Sequence, residues 1–278
     1  MQLYLLFYAL LGLVIGSFLN VCIYRIPRGK SVVFPGSACP HCGTPLRFYD
    51  NVPVLSFILL RGKCRSCGKP ISVQYPLVEL LTGLAFYFCA RTWEFGPPTY
   101  VNSLFLAIII VLIFTDYHHR ILPNRLTLPG TLAGILLSSF QSPEVYGDIV
   151  SLNLASLFGF ENAPAALPWI GSILGALIGG GLLLVVGVAY EKLRKRQGLG
   201  MGDVKMMAMV GAFLGWRLAL LTIFAGSLIG TIVGIFLMLF RHLNLQAKLA
   251  FGVFLGIASA MALFYGLSFL RWYLRIPQ

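Results

Sequence analysis

The chain has 278 residues, of which 58% are hydrophobic and 11% charged, with a formal charge of +12 at pH 7. A soluble globular domain carries about 25% charged residues, so the composition excludes an ordinary soluble enzyme and leaves little sequence for a soluble domain. The expected fold class is an all-α polytopic membrane protein of about eight transmembrane helices with one small cytosolic insertion.

Met1 to Tyr24, MQLYLLFYALLGLVIGSFLNVCIY, is long enough to cross about 30 Å of hydrocarbon. It has neither a basic leading region nor a small-residue cleavage pattern, so it reads as a retained span and not as a signal peptide. Further apolar runs lie near 76–93, 101–115, 126–140, 168–190, 204–216, 217–240 and 249–270. The run at 204–216 is the shortest, about 20 Å as helix. Residues 141–167, with Pro143, Glu144, Asp148, Glu161 and Pro164, read as a polar outer loop. The expected organisation is a first transmembrane helix at 1–24, a cytosolic four-cysteine module at 25–75 and a transmembrane bundle at 76–278.

Orientation follows from Lys and Arg. With the N-terminus outside, the inside segments 25–75, 116–125, 191–205 and 241–248 hold 17 of the 21 basic residues. The short span at 204–216 is what brings Arg241 and Lys248 to that side. The positive charge is then an orientation signal and a means of contact with anionic lipid. It calls for no nucleic acid.

The insertion contains CPHCG and CRSCG, placing Cys39, Cys42, Cys64 and Cys67 in two C-x2-C pairs. Each pair followed by glycine makes a tight knuckle whose two sulfurs face one tetrahedral ion, the pattern of a four-thiolate zinc site. Four protein ligands leave no open position, so the Zn2+ expected here is structural. Two redox pairs or unligated thiols are the competing reading. Cys22 and Cys89 lie in spans and read as small apolar residues.

Two acids stand at membrane entrances on one predicted side: Asp116, ending the third span, and Asp203, opening the sixth. Two spans separate them, so the chain returns to the same face and the carboxylates can meet. Ionisable groups at membrane depth are costly. Singly, each has a bland alternative. Asp116 reads as an interfacial residue beside His118, His119 and Arg120; Asp203 reads as a helix N-cap. Together the bland readings weaken, because Gly198, Gly200 and Gly202 lower helix propensity beyond what a cap requires and allow another backbone to approach. Two close carboxylates sharing a proton would act as base and acid in aspartyl proteolysis. Lys205 reads as an orienting or a snorkelling residue. Glu79, just inside the second span, is a third candidate carboxylate.

GSFLNVCIYRIP at 16–27, the two knuckles, YPLVELLTG at 75–83, TDYHHRILPN at 115–124 and GLGMGDVKMM at 198–207 occur in this order. Together they resemble the bacterial type IV prepilin peptidases, membrane aspartyl proteases of the G-x-G-D class, over nearly the whole chain. The resemblance implies that Asp116 and Asp203 are the catalytic pair. It implies prepilin and pseudopilin substrates of type IV pili or type II secretion, whose basic leaders are removed at the cytosolic face of the bacterial inner membrane. Members with the cysteine-bearing N-terminal domain also methylate the new N-terminal amine with S-adenosylmethionine, so a bifunctional enzyme is expected. No glycine-rich methyl-donor signature is visible. Glu79, Lys205, Gly200 and Gly202 stand as candidates for substrate binding or methyl transfer. The alternatives are a non-catalytic assembly or transport protein with a zinc docking module, and an intramembrane protease of unrelated substrates.

Overall fold

The computed structural model describes residues 2–157, 167–195, 198–241 and 250–275. Among them every extended element is a helix: α1 (Gln2–Arg25), α2 (Leu55–Leu59), α3 (Gln74–Trp93), α4 (Pro97–His119), α5 (Asn124–Leu136), α6 (Pro143–Tyr146), α7 (Ile149–Leu157), α8 (Leu167–Arg194), α9 (Met201–Arg241), α10 (Phe251–Met261) and α11 (Leu267–Leu274). Five stretches are long and apolar enough to cross a membrane: Gln2–Arg28, Pro97–His119, Leu167–Arg194, Met201–Phe240 and Phe251–Leu274. The expected count of eight is therefore not reproduced. Neither α3 nor α5 is among the five, and α5 has 13 residues. The spans expected at 204–216 and 217–240 are the two parts of one helix, α9. The chain forms two compact units, 1–111 and 112–278.

In the first unit α1 packs along α3. The contact is close because α1 presents glycine there: a Cβ on Gly16 would lie 2.7 Å from the Cα of Glu79. Small residues that let helix backbones approach are what drive helix association where lipid tails are as apolar as leucine. Asn20, buried, donates from Nδ2 to the carbonyl of Tyr75 at 3.0 Å and so fastens the same two helices.

The second unit is organised around α9, against which α5, α8 and α10 pack. At 41 residues α9 would be about 60 Å long if straight, about twice the hydrocarbon thickness. It is not straight. Gly215 has φ 75° and ψ 169°, a left-handed conformation that favours glycine, and it divides the helix in two. A break frees carbonyls that no water reaches, so side chains must satisfy them. The Tyr146 hydroxyl contacts the Ala212 and Phe213 carbonyls at 2.7 and 2.9 Å. Ser172 donates to Ala212 at 2.7 Å, and Gln141 donates from Nε2 to Phe213 at 3.2 Å.

This corrects the reading of 141–167 as a polar outer loop. Its described residues build α6 and α7, and Tyr146 is buried against the break. Asp148 caps α7, accepting from the Val150 and Ser151 amides at 3.0 Å each. Glu144 pairs with Arg271, and Arg217 donates to the Glu144 carbonyl at 2.8 Å. The polar composition read as exposure is the set of donors and caps that a broken helix needs. Glu161 and Pro164 lie outside the described residues.

Tyr146→Phe removes one donor while Ser172 and Gln141 remain. The expected result is a loss of about 1–2 kcal/mol of stability, read as a lower midpoint for thermal unfolding in detergent. An unchanged midpoint would mean that the hydroxyl does not hold the break.

Candidate active site and metal centre

The residues between α1 and α3 fold into two matching knuckles. In the first, the Cys39 amide donates to Thr44 at 3.0 Å and the Gly43 amide donates to Cys39 at 2.9 Å. In the second, Cys64 donates to Lys69 at 2.8 Å and Gly68 donates to Cys64 at 2.9 Å. Gly43 and Gly68 have φ of 70° and 69°, which is why glycine follows each pair. The knuckles bring the four sulfurs within 4.8 Å of one another, with Cys39 Sγ 4.0 Å from Cys67 Sγ. Zn–S bonds of about 2.3 Å put tetrahedral sulfurs about 3.8 Å apart, so the cluster fits zinc after a small contraction. The Thr44 hydroxyl and backbone amide pull the Cys42 thiol down to about 6, which favours the ligating thiolate at neutral pH. Among the described residues this is the one group of three or more His, Cys, Asp or Glu side chains within ligand distance. Asp116, His118 and His119 do not form such a group. His41 is exposed, while Cys22 and Cys89 are buried away from the cluster.

The second unit holds the two aspartates. Asp116 lies one turn before the end of α4 and is 5% exposed. The N-terminus of α10 points its amides at this carboxylate: Val253 donates to Oδ2 at 3.1 Å, and the Gly252 backbone adds a second hydrogen bond. Orphan amides and the positive end of the helix dipole make this a favourable seat for an anion. Gly252 is required there, since a Cβ would lie 2.8 Å from Asp116 Oδ2. Arg120, four residues on, adds its positive charge to the surroundings of Asp116.

Asp203 stands in the first turn of α9, half-buried. Its own amide donates to the Gly200 carbonyl at 3.0 Å, and the Gly200 backbone hydrogen-bonds its carboxylate. Leu122 packs against the glycines that neighbour the two acids. A Cβ on Gly202 would lie 3.0 Å from Leu122 Cβ, and one on Gly252 would lie 3.0 Å from Leu122 Cδ1. The carboxylates are close enough for their charges to repel. Gly200 and Gly202 thus belong to the same cluster as Asp116 and Asp203.

Lys205 does not face the acids as their partner; it donates to Asn124 Oδ1 at 2.9 Å and ties the start of α5 to α9. Glu79 belongs to the first unit, where its Oε2 accepts the Val54 amide at 2.7 Å. Asp50, in the cysteine-bearing insertion, is engaged by Arg65 at 2.7 Å. The α10 amides and Asn124 are site elements that the sequence reading missed. The one available signal was a glycine in the first turn of an apolar helix.

A pair of acids against helix amides and glycines, in a chain of long apolar helices, has the groups that acid–base chemistry at a membrane requires. Residues 10–93 match the Bacterial Peptidase A24 N-terminal domain and residues 103–235 match the Type IV leader peptidase family. The chain belongs to the type IV leader peptidase family. It is 40% identical to a prepilin leader peptidase/N-methyltransferase of Myxococcus xanthus over 85% of this chain, an alignment that spans 64% of that relative. Proteins of the same description from Aeromonas hydrophila and Pseudomonas aeruginosa are 35% and 32% identical, covering 95% and 96% of this chain and 92% of each relative. No solved structure matches.

Proposed function

We propose that this protein removes the leader peptide from type IV prepilins and pseudopilins and then N-methylates the new N-terminal residue. The carrying observation is the meeting of Asp116, on the α10 amides, with Asp203, at the glycine-rich start of α9. Two carboxylates this close do not both ionise readily, so they share a proton. A water held between them gives a proton to the ionised acid while its oxygen attacks the scissile carbonyl carbon. The protonated acid transfers its proton to the carbonyl oxygen. Collapse of the tetrahedral intermediate breaks the C–N bond, the leaving nitrogen takes the proton held by the first acid, and a hydroxyl of the intermediate returns a proton to the second. Gly202 lies against Leu122 and Gly200 against the Asp203 carboxylate, so a side chain at either would press on the dyad. Lys205 acts on that geometry through Asn124.

Cys39, Cys42, Cys64 and Cys67 hold a structural Zn2+, which cross-links the two knuckles. S-adenosylmethionine supplies the methyl group. The protein sits in the bacterial inner membrane, with its N-terminus outside and the cysteine module and the dyad at the cytosolic face, in contact with anionic lipid. The basic residues of 25–75, 116–125 and 191–205 support that orientation. The test is purified protein with a prepilin, with and without S-adenosylmethionine. Mass spectrometry should show loss of the leader in both cases and a further 14 Da only with the donor (about one CH2 added, the arithmetic of exchanging N–H for N–CH3). An intact prepilin after long incubation rejects the reading.

A further inference from the structure

Glu79 has no part in the proteolytic dyad, yet it is 7% exposed within an apolar helix. Burying a carboxylate is costly unless something compensates it. The groups facing it are the Ser17 hydroxyl from α1 and the Val54 amide from the insertion, and no charged side chain pairs with it among the described residues. Val54 holds φ 60° and ψ −47°, an outlying conformation for a β-branched residue, while its amide donates to Glu79. Gly16 lets α1 seat directly on the Glu79 backbone. Four features thus converge on one carboxylate with two neutral donors, leaving it lone pairs for another.

A groove of about 600 Å³, within the usual range for a binding site, runs beside these contacts. Ser17 and Pro53, which adjoin Glu79 through the hydroxyl and through Val54, line it. Its walls are apolar: Val14, Phe18 and Val21 from α1, and Val33, Phe48 and Val52 from the insertion. Arg25 is the one charged side chain in the lining, and its guanidinium donates to the Ser31 and Gly36 carbonyls at 3.0 and 3.1 Å. An unpaired carboxylate beside an apolar trough suits a ligand with a cationic head and an apolar body. A chain end bearing a free α-ammonium followed by apolar residues has that chemistry, and proteolysis produces such an end.

We infer that Glu79, with Ser17, receives the newly formed α-amine of the cleaved product in the groove between α1 and the insertion and serves as the base for its methylation. This rests on the N-methyltransferase reading above. The amine arrives as R–NH3+. One proton passes to the Glu79 carboxylate, which frees the nitrogen lone pair. That nitrogen forms a bond to the methyl carbon of the sulfonium donor, and the S–CH3 bond breaks with its electron pair returning to sulfur. The products are R–NH2–CH3+, a neutral thioether and a protonated Glu79 that returns its proton to water.

The experiment uses the full-length, zinc-loaded enzyme with a prepilin and S-adenosylmethionine, measuring cleavage and methylation in the same reaction. Glu79→Gln should keep cleavage within about twofold and zinc at one per chain, while slowing methylation about 10²-fold at pH 7, the usual size of a general-base effect. Its methylation rate should recover between pH 7 and 9, because a free α-amine loses its proton near about 7.7–8.0 without help. The wild type should change far less over that interval. Ser17→Ala should show a smaller loss with the same recovery. Methylation by Glu79→Gln at the wild-type rate, or a loss with no recovery at high pH, overturns the inference alone. A wild type that cleaves but transfers no methyl overturns the N-methyltransferase reading and the inference with it. A measurement on wild type is independent of how the variant folds: product-like peptides with free or acetylated amines compete for methylation. Acetylation should weaken inhibition about tenfold, the scale of one charge-assisted hydrogen bond. Equal inhibition would mean that the groove recognises only the apolar body, as a lipid chain would be recognised, and overturns the role of Glu79.

Discussion

Asp116→Asn and Asp203→Asn should each lower the initial rate of prepilin cleavage by at least about 10³-fold, since each removes one half of an acid–base pair. The substitutions are nearly isosteric, and an amide still accepts the Val253 N–H that now reaches Asp116 Oδ2. Folding should therefore persist. Thermal unfolding in detergent and zinc content, both near wild-type values, verify that the variants are folded. Substantial cleavage by either purified variant would sink the dyad. The same experiment separates the enzyme from a non-catalytic assembly protein, for which neutralising the acids one at a time would leave function intact.

Cys64→Ser combined with Cys67→Ser should take zinc from one per chain to none, measured by elemental analysis of protein purified without added metal. Structural zinc contributes about 10 kcal/mol or more in small metallo-domains, so the insertion should unfold. The contacts described for the dyad, to Val253, Gly252, Leu122 and Gly200, all belong to residues 112–278. Cleavage should accordingly outlast methylation, with the methylated fraction of cleaved product falling further than the cleavage rate. An equal fall in both would assign the insertion to substrate docking and remove its separate part in methyl transfer. Metal-free protein with full activities would reject the zinc site's structural role. Cys22→Ser and Cys89→Ser should leave the metal content unchanged.

The knuckles could be read from the sequence because their geometry is local: two sulfurs three residues apart, with a glycine to reverse the chain, fix almost everything about half a site. The aspartates stood out for a different reason. A single charge at the edge of an apolar run has few structural uses, and two on the same predicted face have fewer. What escaped was non-local. Asp116 and Val253 are far apart in the chain, and no composition rule links an acid at a helix end to amides so distant. The boundary expected between 204–216 and 217–240 falls beside the break at Gly215, but its cause, a single left-handed glycine, carried no signal of its own. Tyr146, Gln141 and Asp148 fell in the stretch read as a polar outer loop, although Tyr146 and Gln141 answer to the break in α9 and Asp148 caps α7. The count of eight spans is not confirmed: five stretches have the length and hydropathy of a crossing, and the stretch 201–240 among them is broken at Gly215.

The interruption at Gly215 turns the front part of α9 into a short lever. Asp203 rides near one end, and Tyr146, Ser172 and Gln141 bolt the other through the Ala212 and Phe213 carbonyls. The arm between Asp203 and those bolts is about 15 Å long at 1.5 Å per residue, so a slight rotation at the anchored end is carried to the acid as a displacement. In the proposed dyad the position of Asp203 is therefore set by contacts remote from the carboxylate itself. Random mutagenesis scored on turnover should collect hits around Tyr146 and Gly215 as well as beside the carboxylates, and those remote hits should alter the rate of bond breaking while leaving prepilin affinity nearly untouched.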